Sequence, residues 1–123
     1  MINLSIILGI LFLHWFADFV LQTDWQATNK SKNNLALTSH VASYSIVWIL
    51  ASLVYSATTG NWWMMLFVPI TFICHWITDY YTSRVNSKLW ADKKVHYFFV
   101  SIGFDQFLHY AQLLITFAIL SQL

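Results

Sequence analysis

The sequence predicts an all-α integral membrane protein, a four-helix bundle that forms a single domain over residues 1–123. Hydrophobic residues make up 59% of the 123 residues, and charged residues make up only 9%. Four stretches are long and apolar enough to cross a hydrocarbon core of about 30 Å. All 6 lysines and arginines lie between these stretches. Together these observations favour four transmembrane helices.

The composition excludes several other classes of protein. Disordered chains combine low hydrophobicity with high charge, and this chain has the reverse. One Cys and 3 Gly argue against a disulfide scaffold and a collagen-like chain. A formal net charge of +1 offers no basic surface, so nucleic acid is not expected as a partner. A soluble domain of this length could not bury so much apolar surface, because small domains leave much of their surface exposed.

Each predicted span is a continuous apolar segment of about 20 residues. The spans are Ile2–Gln22, Leu35–Ala57, Trp62–Thr82 and Tyr97–Gln122. They are too long and too continuous for the alternating strands of a barrel, so we expect helices. The first span has no basic region before it and no cleavage site of small residues, so we expect it to be retained. Pro69, within the third span, is expected to kink its helix.

The basic residues also predict the orientation of the chain. Lys30 and Lys32 lie in the first loop, and the other four cations lie in the third loop, Arg84–Lys94. The second loop, Thr58–Asn61, carries no charge. The positive-inside rule therefore places the first and third loops in the cytoplasm and both termini outside, in a multi-pass protein. We expect Arg84–Lys94 to be a loop that touches lipid headgroups, and the alternative is a short interfacial helix that binds anionic lipid.

Most of the acidic residues and histidines fall inside the predicted helices. An Asp at the centre of a membrane helix costs about 2.5–3.5 kcal/mol, so such residues usually face a site. Three His–Asp pairs are four residues apart, and each pair therefore shares a helix face. The residues within the spans are His14, Asp18, His40, His75, Asp79, Asp105 and His109. Four polar stripes of this kind can meet in the centre of a bundle.

A short motif occurs twice in the chain. The segment from His14 to Phe19 reads HWFADF, and the segment from His75 to Tyr80 reads HWITDY, 61 residues later. Both segments lie on helices that are expected to run from outside to inside. The repeat therefore suggests two helical hairpins related by an axis along the membrane normal.

Metal binding is the chemistry that this set of residues favours. Imidazole suits Zn and Fe, and carboxylate suits harder ions such as Mn. Three buried carboxylates would repel one another unless cations lay between them. We expect one or two divalent ions (Zn, Mn or Fe), bound by His14, Asp18, His40, His75 and Asp79. Asp105 and His109 are expected to complete the ligand shell or to act as catalytic acid and base.

A centre with two metal ions favours hydrolysis, because the ions activate a water and hold a phosphoryl or carbonyl oxygen between them. The membrane would make a lipid or a lipid-linked molecule the substrate. Two other functions stay open at this point. The same polar stripes could conduct protons or metal ions in a homo-oligomer, or the chain could be a phage membrane protein that binds a host membrane partner. Purely structural polar packing is the remaining alternative.

The first span also carries a family resemblance. The pattern His14-Trp15-x-x-Asp18-Phe19-x-Leu21-Gln22, followed by a basic loop and His40, resembles an uncharacterised family of small membrane proteins from phages and bacteria. That family is known only as a domain of unknown function. It is distantly similar to inner-membrane proteins described as metal-dependent hydrolases. The resemblance covers most of the chain and implies a bacterial inner-membrane protein of bacterial or phage origin. The site residues that it implies are His14, Asp18, His40, His75 and Asp79.

Overall fold

The computed structural model describes residues 2–123, and all of the regular secondary structure in that range is helical. The all-α class is therefore confirmed. The five α-helices are α1 (Leu4–Trp15), α2 (Asp24–Asn29), α3 (Asn34–Thr59), α4 (Phe67–Ala91) and α5 (Val95–Leu120). A π-helical turn, Phe16–Val20, continues α1, and a 3-10 turn, Trp62–Leu66, leads into α4.

One helix in the described range, α3, is both long and apolar enough to cross a membrane by length and composition. The apolar segment Leu4–Val20 is shorter. Helix length and composition alone are weak support for a membrane protein, so the four-span bundle stays a prediction.

Polar side chains and one glycine define most of the helix ends. The Asn3 side chain accepts a hydrogen bond from the Ile6 N–H and begins α1. Thr23 and Gln26 form a reciprocal capping box at the start of α2, which satisfies two N–H groups that have no partner within the helix. Gly60, at a φ of 77°, ends α3 in the left-handed conformation that glycine adopts without strain.

The structure departs from the sequence prediction between Arg84 and Lys94. The expected loop is wrong for most of this segment, because α4 continues to Ala91. The Arg84 guanidinium lies over the Tyr80 ring and donates to the Tyr80 carbonyl oxygen one turn earlier. The segment contains no Gly or Pro that would end the helix. The chain turns only after Ala91, where Lys93 has a φ of 58°.

Pro69 lies in the first turn of α4 and not in the middle of a helix. The 3-10 turn Trp62–Leu66 runs into α4 without a break, so the helix changes from 3-10 to α form just before this proline. The expected kink stays a prediction.

The buried side chains of the bundle form two layers. An apolar layer contains Tyr44, Trp48, Phe67, Leu113 and Phe117. A polar layer beside it contains the aspartates and histidines described below. α4 packs along both α3 and α5, and α1 packs against α5. This packing brings the polar stripes of four helices to one level of the bundle.

The apolar layer gives a direct test of the fold. Leu113 is fully buried, whereas Ile115 on the same helix is 59% exposed. We expect Leu113→Ala to lower the free energy of unfolding by about 2–5 kcal/mol, because it leaves a cavity in the packed layer. Ile115→Ala is the matched control and should change it by less than about 0.5 kcal/mol. Chemical unfolding followed by circular dichroism measures both, and equal losses would contradict this packing.

Candidate metal centre

The seven ionisable residues that the sequence places within the helices lie together in the polar layer. Each of them is buried. They come from all four long helical segments: His14 and Asp18 from the first, His40 from α3, His75 and Asp79 from α4, and Asp105 and His109 from α5. The four-residue spacing accounts for this, because it puts both members of a pair on the inner face of their helix.

A π-helical turn positions Asp18. Within Phe16–Val20 the helix widens, and the Leu21 N–H donates to the Phe16 carbonyl oxygen five residues earlier, at 3.0 Å. π-Helical turns occur frequently at functional sites, where the inserted residue changes the direction of a side chain. In this protein the turn coincides with the one acidic residue of the first helical segment.

The first group of candidate ligands consists of Asp18, His40, His75 and Asp79. His40 Nε2 lies 3.0 Å from Asp18 Oδ1 and 3.3 Å from Asp79 Oδ2. His75 Nε2 lies 3.3 Å from each of the same two oxygens. The two Nε2 atoms are themselves 3.3 Å apart. A tetrahedral zinc ion with bonds of about 2.0 Å needs ligand atoms about 3.3 Å apart, so this spacing fits a divalent ion.

The imidazole rings of this group are held by packing. The His75 ring lies 3.9 Å from the Tyr44 ring and stacks on the His109 ring at 4.2 Å, measured between centroids. The Nδ1 atoms of His40 and His75 are buried and have no hydrogen-bond partner among the described residues. The usual hydrogen bond that fixes the tautomer of a metal-binding histidine is therefore not supplied by those residues.

The second group consists of Asp79, Asp105 and His109. His109 Nε2 lies 3.1 Å from Asp79 Oδ1 and 3.3 Å from Asp105 Oδ1. The Thr82 hydroxyl donates to Asp105 Oδ1 at 2.6 Å and holds that carboxylate in place. Three protein ligands leave a coordination position open, which is the pattern of catalytic zinc sites.

Asp79 belongs to both groups, with one oxygen in each. Its Oδ2 faces His40 and His75, and its Oδ1 faces His109. The buried His/Asp groups therefore lie close enough together to hold a metal ion. The carboxylate of Asp79 therefore lies between the two groups of candidate metal ligands.

His14, predicted as a ligand, lies beside the two groups and in neither of them. Its Nδ1 is 2.9 Å from the Tyr44 hydroxyl oxygen and its Nε2 is 2.7 Å from Gln106 Oε1. Its Nε2 is 3.6 Å from Asp18 Oδ2. Both ring nitrogens thus have polar partners outside the ligand groups, and a direct role for His14 at a metal stays a prediction.

Gln106 was missed by the sequence analysis, although it lies next to Asp105. Its side-chain amide donates to Asp105 Oδ2 at 3.1 Å and to Asp18 Oδ2 at 3.4 Å. It therefore links the two candidate groups. Because it is one residue away from Asp105, it lies about 100° round the helix from the polar stripe, and the four-residue spacing could not find it.

Lys30 is a second site residue that the sequence does not reveal, because a lysine in a loop between spans indicates only a cytoplasmic charge. Its ammonium group donates to Asp79 Oδ2 at 3.1 Å. Burial alone would lower the pKa of Lys30, but the carboxylates of Asp79 and Asp18 outweigh that effect and raise the pKa. Three carboxylates nevertheless face one ammonium group, and a divalent cation would neutralise that excess of negative charge.

The contact between Lys30 and Asp79 predicts a measurable effect on stability. Lys30→Met removes the cation from a buried carboxylate, so we expect it to lower the free energy of unfolding of the metal-free protein by about 1–3 kcal/mol at pH 7. Because the pKa of Lys30 is raised on folding, this contribution is fully present below the ordinary value of 10.5. It is lost only as the pH rises through the raised value.

Lys88→Met is the matched control, since Lys88 lies on the exposed surface of α4. Thermal unfolding of both variants at pH 7 and pH 9 tests the prediction. A Lys30→Met protein as stable as the control would show that the contact contributes nothing.

Comparison with known proteins places the chain in a family without supplying a function. The profile of the family described as "Protein of unknown function (DUF3307)" matches residues 6–123, which is nearly the whole chain. Neither the curated proteins nor the solved structures yield a match. The expectation of an uncharacterised family is confirmed, whereas the membrane location, the phage origin and the likeness to hydrolases stay predictions. The chain belongs to the DUF3307 family of proteins of unknown function.

Proposed function

We propose that this protein is an integral membrane hydrolase that binds one or two divalent ions and acts on the phosphoryl or acyl group of a lipid or lipid-linked substrate. The proposal rests on one observation above the others. Asp79 directs one oxygen toward a four-ligand group and the other toward a three-ligand group. In hydrolases with two metal ions, a shared carboxylate of this kind is a natural bridging ligand.

The two ligand groups suit different tasks. The first group has four protein ligands and would leave no position for a substrate, whereas the second has three. Two divalent ions in these positions would supply Lewis-acid chemistry and an activated water. Asp18 of the first group and Asp105 of the second group both border a large cavity, and of these two groups the second is the one with an open position for a substrate. Thr82 and Gln106 position Asp105 there.

The distribution of polar and apolar side chains supports a location in the membrane. The interior of the bundle contains charged residues, while the outside of every long helix presents large apolar ones. Phe12 is 61% exposed, Leu50 61%, Ile73 56% and Phe107 61%. Soluble monomers rarely expose apolar surface on this scale. Trp25 and Trp90 near one end, and Trp62 and Trp63 near the other, are also exposed, as expected at membrane interfaces.

Ion or proton conduction is the main rival function, and one feature favours it. The Gln112 amide donates to the hydroxyls of Thr71 and Thr116, which extends the polar layer by one helical turn. Beyond that turn the interior is mainly apolar and aromatic, with Trp48, Phe67 and Phe117 packed beside the buried hydroxyl residues Ser52 and Ser56. A polar path that ends against a packed apolar layer favours hydrolysis at one side of the membrane over conduction across it.

Metal content provides the first test of the proposal. We expect the detergent-purified protein to contain about one or two equivalents of Zn, Mn or Fe. Asp79→Asn should lose most of the bound metal, because the amide cannot replace a carboxylate that serves both groups. His109→Ala should lose only metal held by the second group. Elemental mass spectrometry of the purified proteins measures this.

His96→Ala is the matched control, since His96 is an exposed histidine outside both groups. It should retain the metal content of the wild type. If Asp79→Asn, purified without chelator and incubated with each metal, binds as much as the wild type, the proposed centre is wrong.

Catalysis provides the second test. We expect the metal-loaded protein in detergent, with no ion gradient, to hydrolyse at least one member of a panel that contains a diacylglycerol phosphate, a polyprenyl phosphate and an acyl-ester lipid. Asp79→Asn should lower kcat/KM at least about a hundredfold, because a lost metal removes several kcal/mol of transition-state stabilisation. Phosphate and fatty-acid release assays report the two reaction types. Ion flux through proteoliposomes, without turnover of any of these lipids, would instead support the transport function.

A further inference from the structure

A large cavity opens beside the second ligand group. Its volume is about 810 Å³, within the range of pockets that bind small molecules. It lies between the end of the first helical segment, α2, the last turns of α4 and the first turns of α5. Asp18 and Asp105 are part of its lining. The cavity therefore leads from the polar layer to the end of the bundle where the lysines lie.

Just behind the lining of the cavity lie polar atoms that have no hydrogen-bond partner among the described residues. Ser83 is only 6% exposed, and its hydroxyl makes no hydrogen bond among the described residues. Gln22 Oε1 and Asn86 Oδ1, from two other lining residues, are buried and equally unpaired. A buried polar group without a partner is unfavourable. Rotation of these three side chains toward the cavity would pair them with a polar ligand, so they favour a polar ligand over an apolar one.

Two further features of the lining specify the charge and the shape of that ligand. Lys30 and Lys32 line the cavity together with Asp18 and Asp105, and those two aspartates contact His40, His75 and His109. The ammonium group of Lys32 has no acidic partner among the described residues, so an anionic group beside it is favoured over a neutral one. Trp90, Phe98 and Phe99 line it as well, and they offer an apolar surface to a hydrocarbon chain. A ligand that satisfies both features has an anionic head and an apolar tail.

We infer that this cavity binds a lipid through its phosphate headgroup, with the phosphate near Lys30, Lys32 and Ser83 and the first part of the chain along Trp90 and Phe98. If the bound lipid is also the substrate, the inference rests on the proposed function. It then specifies that the protein cleaves a phosphoryl group and not an acyl group. For a phosphate monoester, the oxygen of a water forms the new bond to phosphorus, and the P–O bond to the lipid breaks. The leaving oxygen takes a proton, and the products are a lipid alcohol and inorganic phosphate.

Binding can be measured separately from turnover. The probe is the phosphonate analogue of dioleoyl phosphatidic acid, whose C–P bond resists hydrolysis. Native mass spectrometry of the detergent-purified full chain measures binding. The phosphonate should bind at a concentration about tenfold or more below the one that dioleoylglycerol needs, because dioleoylglycerol lacks the anionic group. Inorganic phosphate, which lacks the chain, should compete only weakly.

Two variants locate the site. Lys32 and Asn86 line the cavity and lie outside both ligand groups. Lys32→Gln removes a charge from the lining, and Asn86→Leu removes a polar group. Each should weaken phosphonate binding about tenfold and leave the metal content unchanged. Lys88→Gln on the exposed face of α4 is the control and should bind as the wild type does, since Lys88 does not line the cavity.

The inference is overturned if dioleoylglycerol binds as tightly as the phosphonate, if inorganic phosphate alone binds as tightly, or if both variants bind like the control. A protein that holds metal and cleaves only the acyl-ester lipid, with no phosphonate bound, would also overturn it while the hydrolase proposal stands. A metal-free wild type that still binds the phosphonate through these residues would support the lipid site and overturn the hydrolase proposal.

Discussion

Three carboxylates buried in one layer of a small bundle are the constraint on which the rest of this structure depends. Each must find a compensating partner, because an isolated buried charge costs far more than a hydrogen bond returns. Asp79 contacts Lys30, His40, His75 and His109, and Asp18 contacts His40 and His75. The helices that supply these partners must therefore pack at one level, which fixes their positions along the bundle.

The same constraint bears on the polarity of this bundle. One of the two layers in its interior is polar, whereas the outward faces of its long helices are apolar. In water, such a chain would have to cover its surface with other copies of itself or with a partner. In a bilayer the outward faces would be solvated by lipid, and packing together with hydrogen bonds between helices would hold the bundle together. The aromatic layer next to the polar one supplies that packing in this bundle, since Trp48, Phe67 and Phe117 interlock there.

The sequence predicts which side chains share a helix face, because that depends only on their spacing along the chain. The four-residue spacing of His75 and Asp79 predicts a shared face, and a shared face is what brings them to the layer. Contacts set by tertiary structure could not be predicted in this way. Lys30, at the C-terminal end of the short helix α2, contacts Asp79 of α4, 49 residues further along the chain. Gln106 lies off the polar stripe and reaches Asp18 from another helix.

The repeated motif shows how one local pattern can lead to two different surroundings. His14–Asp18 and His75–Asp79 match in sequence, yet Asp79 serves both ligand groups and Asp18 only the first. His75 directs its Nε2 at two carboxylates, while His14 is engaged by Tyr44 and Gln106. The difference begins at the backbone, because the first copy contains a π-helical turn and the second lies in a regular α-helix. The two copies of the motif therefore contribute unequally: the second copy supplies the residue that the group of four and the group of three share, and the first copy supplies one member of the group of four.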